Sequence, residues 1–436
     1  MAFLGMRGNG DWVADQRPKN WRETILYLYP NGAAPLTAIL SKMGSESTDD
    51  PEFNWWTKTL PTQRATVTGI YTNATLATAY SSGGVLGDTI YIKMSAAEVT
   101  HFREGHQVLL RDASDFTMDV MAKVIGRVVN GASSYIACYL LEADDNSSAG
   151  DLSDCDVALI VGNINAEGAA MPDSIAYDPV KWYNYTQIFR TPLSMTRTAM
   201  QTRLRTGDQY KEAKREALEM HSIEMEKAFL FGIPTERIGA NGKPERTTLG
   251  IIPAIKGSQT GQGGSGGLVS DYKLATGYAG KTWLEMGEDW LDAQLEVMFR
   301  FGGGTRLAFC GSSVIGAINK LVKANSQYNI TGKETSYGLK VTTWYTPFGE
   351  IELLNHPLFS YEPTLRNSMV LIEPKDIKTR TIQDTMFKGD KSYKEGGWTT
   401  RDGIDEEFLT ECGLEYHNPI GWGYLTGFGV TNTLSP

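Results

Sequence analysis

Cysteine is scarce in this 436-residue chain, and its four copies form no framework. Cys138, Cys155, Cys310 and Cys412 are scattered without CxxC spacing, which excludes a disulfide scaffold or a thiolate zinc site and predicts buried thiols in a reducing compartment. Histidine is nearly as rare. His101, His106, His221, His356 and His417 are the full set, and none has HExxH spacing. His101 and His106 lie five apart in an expected strand and so point to opposite faces, while His221 sits mid-helix as a solvated or packed side chain. No run of 18 or more apolar residues exists, so no membrane-spanning helix is expected. The opening MAFLGMRGNGDWVADQ lacks the charged-then-apolar order of a secretory signal, and the chain is expected to fold in a cytoplasm. Positive charge is also short. With 41 Lys and Arg against 51 Asp and Glu, the net charge of −10 argues against nucleic-acid binding by the chain as a whole and against adhesion to anionic lipid.

What is plentiful is aromatic: 10 Trp and 20 Tyr, suited to packed cores and large interfaces. The length exceeds what one hydrophobic core serves, so two or three domains are expected. Residues 1–60 read as a thin arm, with a helix around Trp21 to Met43 and then FNWWTKTL, an extended stretch placing Trp55 and Trp56 on opposite faces. From Val67 to Val161 the texture is β-rich, with short β-branched pieces such as TIYIKM and AKVIGRVV, implying a small barrel or sandwich. The run EADDNSSAGDLSD (Glu142 to Asp154) reads as an acidic, solvated loop that lacks the glycine and terminal glutamate of a calcium loop.

KWYNYTQIFRTPLSMT is extended and aromatic. It leads to a long helix from Thr206 to Phe231, started by a capping box of Thr206 and Gln209, with Ala213, Ala217 and Met220 as its apolar face and Gly232 and Pro234 at its end. A flexible GSQTGQGGSGG stretch, 257–267, precedes an amphipathic helix from Trp283 to Phe301 and another from Ser312 or Ser313 to about Asn325. Leu339 to Tyr345 and Ile351 with Leu353 form a hairpin around TPFGE, and the C-terminal section returns to strands.

Two motif fragments invite chemistry and fail on context. In LATGYAGKTW, Gly280-Lys281-Thr282 imitates a phosphate loop, but the first glycine of that loop falls on Ala275; Thr282 and Glu285 instead make a capping box, and Gly280 turns the chain into the helix. Gly263-Gly264-Ser265-Gly266-Gly267 matches a nucleophile elbow in letters only, inside a Gly/Ser run without the strand and helix that strain the turn. No catalytic residue, metal ligand or cofactor site is nominated.

The order of parts, with YNYTQIF (Tyr183 to Phe189), EMEKAFLFG (Glu224 to Gly232), TSYGLKVTTWYTPFGEIELLNHPLF (Thr335 to Phe359) and FLTECGLEYHNP (Phe408 to Pro419), resembles the major capsid proteins of tailed bacteriophages, which share the HK97 fold. The resemblance covers Asn54 to Leu60 and Lys181 to the C-terminus. It implies an α+β subunit with an N-terminal arm at 1–60 and an extended loop at 61–180 carrying an inserted β-rich domain, displayed outward. A peripheral domain with its spine helix at 206–231 occupies 181–250, an axial domain 251–393, and strands at 394–436 return to the peripheral domain. It also implies a structural, non-enzymatic role in a virion shell assembled in the host cytoplasm. Its partners are then other copies in hexamers and pentamers, a separate scaffolding protein (no removable scaffolding segment fits before the arm), a portal, weakly held double-stranded DNA and a decoration protein. Trp55, Trp56, Tyr183 and Tyr185 are the nominated inter-subunit contacts. Three other readings stay open: a soluble enzyme with a β-rich accessory domain, an encapsulin-like compartment shell, and a tail-tube or adhesin component.

Overall fold

Alternating apolar residues build one inserted barrel. The structure, a computed structural model, describes residues 45–58, 63–113, 119–144, 151–202, 208–257, 266–325, 330–336, 339–389 and 402–435. It divides into two compact units, 57–179 and the remainder. In the first, strands Thr89–Lys93, His106–Arg111, Asp119–Val128, Tyr135–Leu140 and Val157–Asn163 pair antiparallel. Residues 64–71 form one extended segment, bonded at its start to Val157–Asn163 and at its end to Thr89–Lys93, which closes the sheet into a barrel without free edges. Ile90, Ile92, Val108, Leu110, Ala122, Val124, Ile136 and Cys138 fill it, each alternate with an outward residue.

Two expectations change here. His101 lies beyond the short helix Ala96–Val99 while His106 opens a strand, so they share no strand, and His101 meets Tyr177 at 3.2 Å. The flanks of the acidic stretch are solvated only in part: Glu142 and Asp154 are exposed, but Asp144 and Asp151 are buried, and Asp144 accepts from Tyr80 Oη at 2.6 Å and from Leu152 N–H. The middle of that stretch lies outside the described residues, as do the first 44 residues with their expected helix, and 258–265 of the Gly/Ser run.

The larger unit holds two principal sheets. A mixed seven-stranded sheet runs Leu268–Asp271, Gly423–Thr426, Met369–Ile372, Thr305–Cys310, Glu350–Asn355, Leu339–Tyr345, Ile330–Ser336. Helices Trp283–Phe299 and Ser312–Asn325 cover one face, and the other joins a second core, so Leu307 and Phe309 serve one cluster while Ala308 and Cys310 serve the other. The Gly280-Lys281-Thr282 fragment is a helix start. Thr282 N–H and Oγ1 both donate to Glu285 at 2.8 Å, and Gly280 turns the chain at φ +69°. Gly311 is required by close approach, since a Cβ there would stand 2.1 Å from the Arg366 carbonyl.

The second sheet orders Ser45–Ser47, Ile377–Lys388, Gly403–Tyr416 and Gln187–Thr196, with the long helix across Gln187–Thr196 and Gly403–Tyr416. That helix spans Gln209–Phe231, about 34 Å at 1.5 Å per residue. Its N-cap is Asp208, whose carboxylate accepts from Tyr210 and Lys211; the expected cap, Thr206, lies outside the described residues. Met220 is 56% exposed, because the buried row runs by fours through Ala217, His221 and Met225, putting a histidine where an apolar residue was sought. The expected division at 394 also moves. Ile377–Lys388 pairs with Gly403–Tyr416 in the helix-bearing sheet, whereas Gly423–Thr426 inserts into the seven-stranded one.

All four cysteines are buried thiols, and burial pushes those of Cys155 and Cys412 up to about 12, leaving them unreactive. Two buried polar pairs span segments. Arg306, wholly buried, donates to Glu373 at 2.9 Å and to the carbonyls of Gly303, Phe301 and Gly421. Burial raises the pKa of Glu373, but bonds from Lys375 and Gly303 and the Arg306 charge outweigh it, leaving the carboxyl below its ordinary range. His356 Nδ1 accepts from Leu358 N–H, so Nε2 carries the proton towards Glu226 at 2.8 Å, with both side chains fully buried. Arg306→Ala removes the buried partner of Glu373, leaving it Lys375 and Gly303 N–H, and takes the donor from the carbonyls it held, so urea unfolding is expected to show a loss of about 3–5 kcal/mol. A loss under 1 kcal/mol contradicts a keystone role.

Candidate functional site

Strand Glu52–Thr57 pairs with Val180–Tyr185 in a two-stranded sheet whose sides differ sharply. Phe53, Trp55 and Trp182 point inward; Trp55 stands edge-on to Tyr416 at 5.3 Å and Trp182 meets the same ring at 6.2 Å. Trp56 points outward, 63% exposed, and Tyr183 and Tyr185 are half-buried, their rings meeting edge-to-face at 5.6 Å. The four nominated aromatics therefore divide. Trp55 is consumed by its own subunit's core, because period-two alternation sends neighbouring indoles to opposite sides. Trp56, Tyr183 and Tyr185 remain on the surface.

The polar residues of YNYTQIF act as pins. Asn184, fully buried, donates to the Leu414 carbonyl at 2.7 Å and accepts from Leu249 and Tyr185 N–H, each at 2.8 Å. Thr186 Oγ1 donates to Glu411 at 3.2 Å, and Gln187 accepts from Thr248 N–H at the same distance. Burial raises the phenol pKa of Tyr185, and the charges of Glu52 and Glu236 add to the shift. Glu236 belongs to the hairpin of Thr235–Ile238 and Pro244–Thr247, laced by Arg237–Glu245 at 2.9 Å and Arg246–Glu236 at 3.2 Å, with Ile238 80% exposed beside its turn.

A polar lock that sequence reading missed sits beneath the long helix. His221 lies between Thr191 Oγ1 at 3.0 Å and Thr410 Oγ1 at 2.7 Å, and Thr410 donates in turn to Thr385. Nothing in the spacing marks His221, because its partners come from strands far away in sequence. Burial pushes its pKa below the ordinary 6.5, with Glu224 pulling the other way.

No reactive constellation is assembled from these parts. Among the described residues no group of three or more His, Cys, Asp or Glu is placed to hold a metal ion. A cleft of about 350 Å³ lies at Gly303–Leu307, Glu352 and Glu373–Lys375, but its arginine is engaged by Glu373 and four backbone carbonyls. What the arrangement offers is surface: aromatic, partly apolar and held by buried pins.

Comparisons with known proteins agree with that character. The model of the family described as SU10 major capsid protein matches residues 9–429. A major capsid protein of Pseudomonas phage PaMx41 is 25% identical over 428 residues, covering 94% of this chain and 92% of that one. Among solved structures, the capsid of a native GTA particle overlaps 94% of this chain and 95% of its own at 8% identity and TM-score 0.44. The mature capsid of bacteriophage PhiM1 overlaps 61% of this chain and 78% of its own, at 12% identity and TM-score 0.38. The family assignment rests on the sequence model.

Two measurements test the pins. Asn184→Ala orphans the Leu414 carbonyl and Leu249 N–H, each worth roughly 1–3 kcal/mol when buried, so denaturant unfolding should show a loss near the sum. His221 takes up a proton less readily in the fold than when unfolded, so its contribution is full above the unfolded value of 6.5 and is lost as pH falls below it. His221→Gln should flatten that decline in unfolding measured from pH 7.5 to 5; an unchanged slope rules His221 out as its source.

Proposed function

The chain belongs to the SU10 major capsid protein family, and from that premise we propose how its parts share the work of building an icosahedral shell. Its role is structural, as a major capsid protein of a phage virion, and not enzymatic. The observation that carries the reading is the family match itself, which runs through both compact units. In an HK97-like division of labour the helix-bearing sheet is the peripheral domain. The seven-stranded sheet is the axial domain, whose loops meet around the symmetry axes. The barrel sits within the extended loop, and residues 1–60 are the arm that reaches a neighbouring copy.

Trp56, Tyr183 and Tyr185 are the contact residues of this reading, and Trp55 supports them from within. Tyr and Trp suit that task because they bury large area with few rotors to freeze. The further partners are a scaffolding protein, a portal, a decoration protein and weakly held double-stranded DNA. Charge supports an outward barrel: residues 57–179 hold seven basic against fifteen acidic side chains, a balance of −8 out of the total −10. Packaged DNA repels such a unit, and the other 313 residues, at −2, are the better lining.

Electron microscopy of the chain expressed alone and with a candidate scaffolding protein should show closed shells in at least one sample. Trp56→Ala with Tyr183→Ala should cut shell yield at least tenfold while the subunit keeps its circular dichroism and unfolding midpoint. Clean monomers in both wild-type samples overturn the shell reading; full yield from the variant overturns only the contact assignment.

A further inference from the structure

The barrel is electrically polarised. Strands His106–Arg111 and Tyr135–Leu140 end, and Asp119–Val128 and Val157–Asn163 begin, at one rim. Eight described carboxylates between Asp88 and Asp156 gather there against one cation, Arg111. Asp144 and Asp151 are turned inward, whereas Asp119, Glu142 and Asp154 are exposed. The opposite rim has Lys93, Arg103 and Arg127 against Glu98 and Glu104.

The outer wall is chemically distinct from the acidic rim. Because Ile70, Ile92, Ile136 and Cys138 point into the core, their strand neighbours point out. Register then sets Tyr71 opposite Tyr91, Lys93 opposite Tyr135, and Lys123 opposite Tyr139. The Tyr91 and Tyr135 rings meet edge-to-face at 5.5 Å, Tyr139 is 40% exposed, and the other five are half-buried. Four tyrosines thus share one wall with two of the unit's seven basic residues.

We propose that this tyrosine–lysine wall docks the acidic rim of the barrel on a second copy of the chain, a head-to-tail contact between neighbouring barrels. The inference rests on the shell reading above, since it needs copies held side by side. Charge complementarity selects the occupant. A unit of net −8 repels another in most orientations, and the rim-to-wall approach brings opposite charges together while tyrosines lose water. The contact is heterologous, so it closes only where shell symmetry returns it to its start.

The test uses intact shells assembled from an equal mixture of 15N-labelled and unlabelled chains. A carbodiimide converts a carboxylate and a touching lysine amine into an amide with loss of water, so it reports ion pairs in contact. Mass spectrometry should find peptides joining Lys93 or Lys123 to Asp119, Glu142 or Asp154 with mixed isotopes, the signature of links between copies. Raising salt before coupling should reduce them severalfold, as screening requires. Shells that form without these mixed links, or whose acidic rims link to another virion protein instead, overturn this inference and leave the shell reading standing. A chain that forms no shell overturns both.

Discussion

The constraint on which the exposed surface depends is one buried amide. Asn184 must donate to the Leu414 carbonyl through its amide nitrogen and accept from Leu249 and Tyr185 N–H through its amide oxygen at once, which a carboxamide can do and an ionised carboxylate, with no proton to give, cannot. That triple bond pattern fixes the phase of Val180–Tyr185. A slip of one residue turns Trp182 out and Tyr183 and Tyr185 in, exchanging core for surface. The aromatic face is therefore specified from behind, by a side chain that never reaches solvent.

The same logic recurs at the other buried polar groups. Apolar clusters supply the bulk of the stabilisation, but hydrophobic contact is non-directional and tolerates sliding. Arg306 binds Glu373 and carbonyls from two separate turns, Glu226 ties the long helix to His356, and His221 joins that helix to threonines of two strands. Buried ion pairs contribute little net stability compared with well-packed apolar replacements, yet cost several kcal/mol when half is removed. Here they act as register marks between segments far apart in the chain, holding the helix, the two sheets and the glycine turn at 302–304 in one arrangement.

Local pattern made part of this legible from sequence. The helices beginning at Trp283 and Ser312, the Thr282–Glu285 box, the hairpin before Glu350 and the opposed faces of Trp55 and Trp56 all follow from spacing within a dozen residues. What failed depended on distant partners. Met220 looked like core because no local signal reveals that His221 finds two threonines 30 and 189 residues away. Thr206 looked like the cap because its hydroxyl precedes Gln209 at box spacing, while Asp208 takes the position. The sheet memberships of Ile377–Lys388 and Gly423–Thr426 were hidden for the same reason, since a strand's period shows which residues face in and not which neighbour it joins. At the aromatic face, the four side chains were visible, but the loss of Trp55 to the core required Tyr416.

Charge partition bears on how copies of a chain with exposed apolar side chains can approach one another. Trp56, Ile188, Ile233 and Ile238 are each more than half exposed, a pattern that marks surfaces awaiting a partner. Covering them requires copies of one chain to approach closely, and any net charge on the approaching surfaces opposes it. The larger unit carries only −2 over 313 residues, so its copies repel one another weakly, while the barrel's −8 supplies the charge that keeps free subunits apart. Concentrating the charge in one unit leaves the larger unit nearly neutral. The barrel's own polarity then decides whether that repulsion persists after assembly or is converted, rim to wall, into attraction.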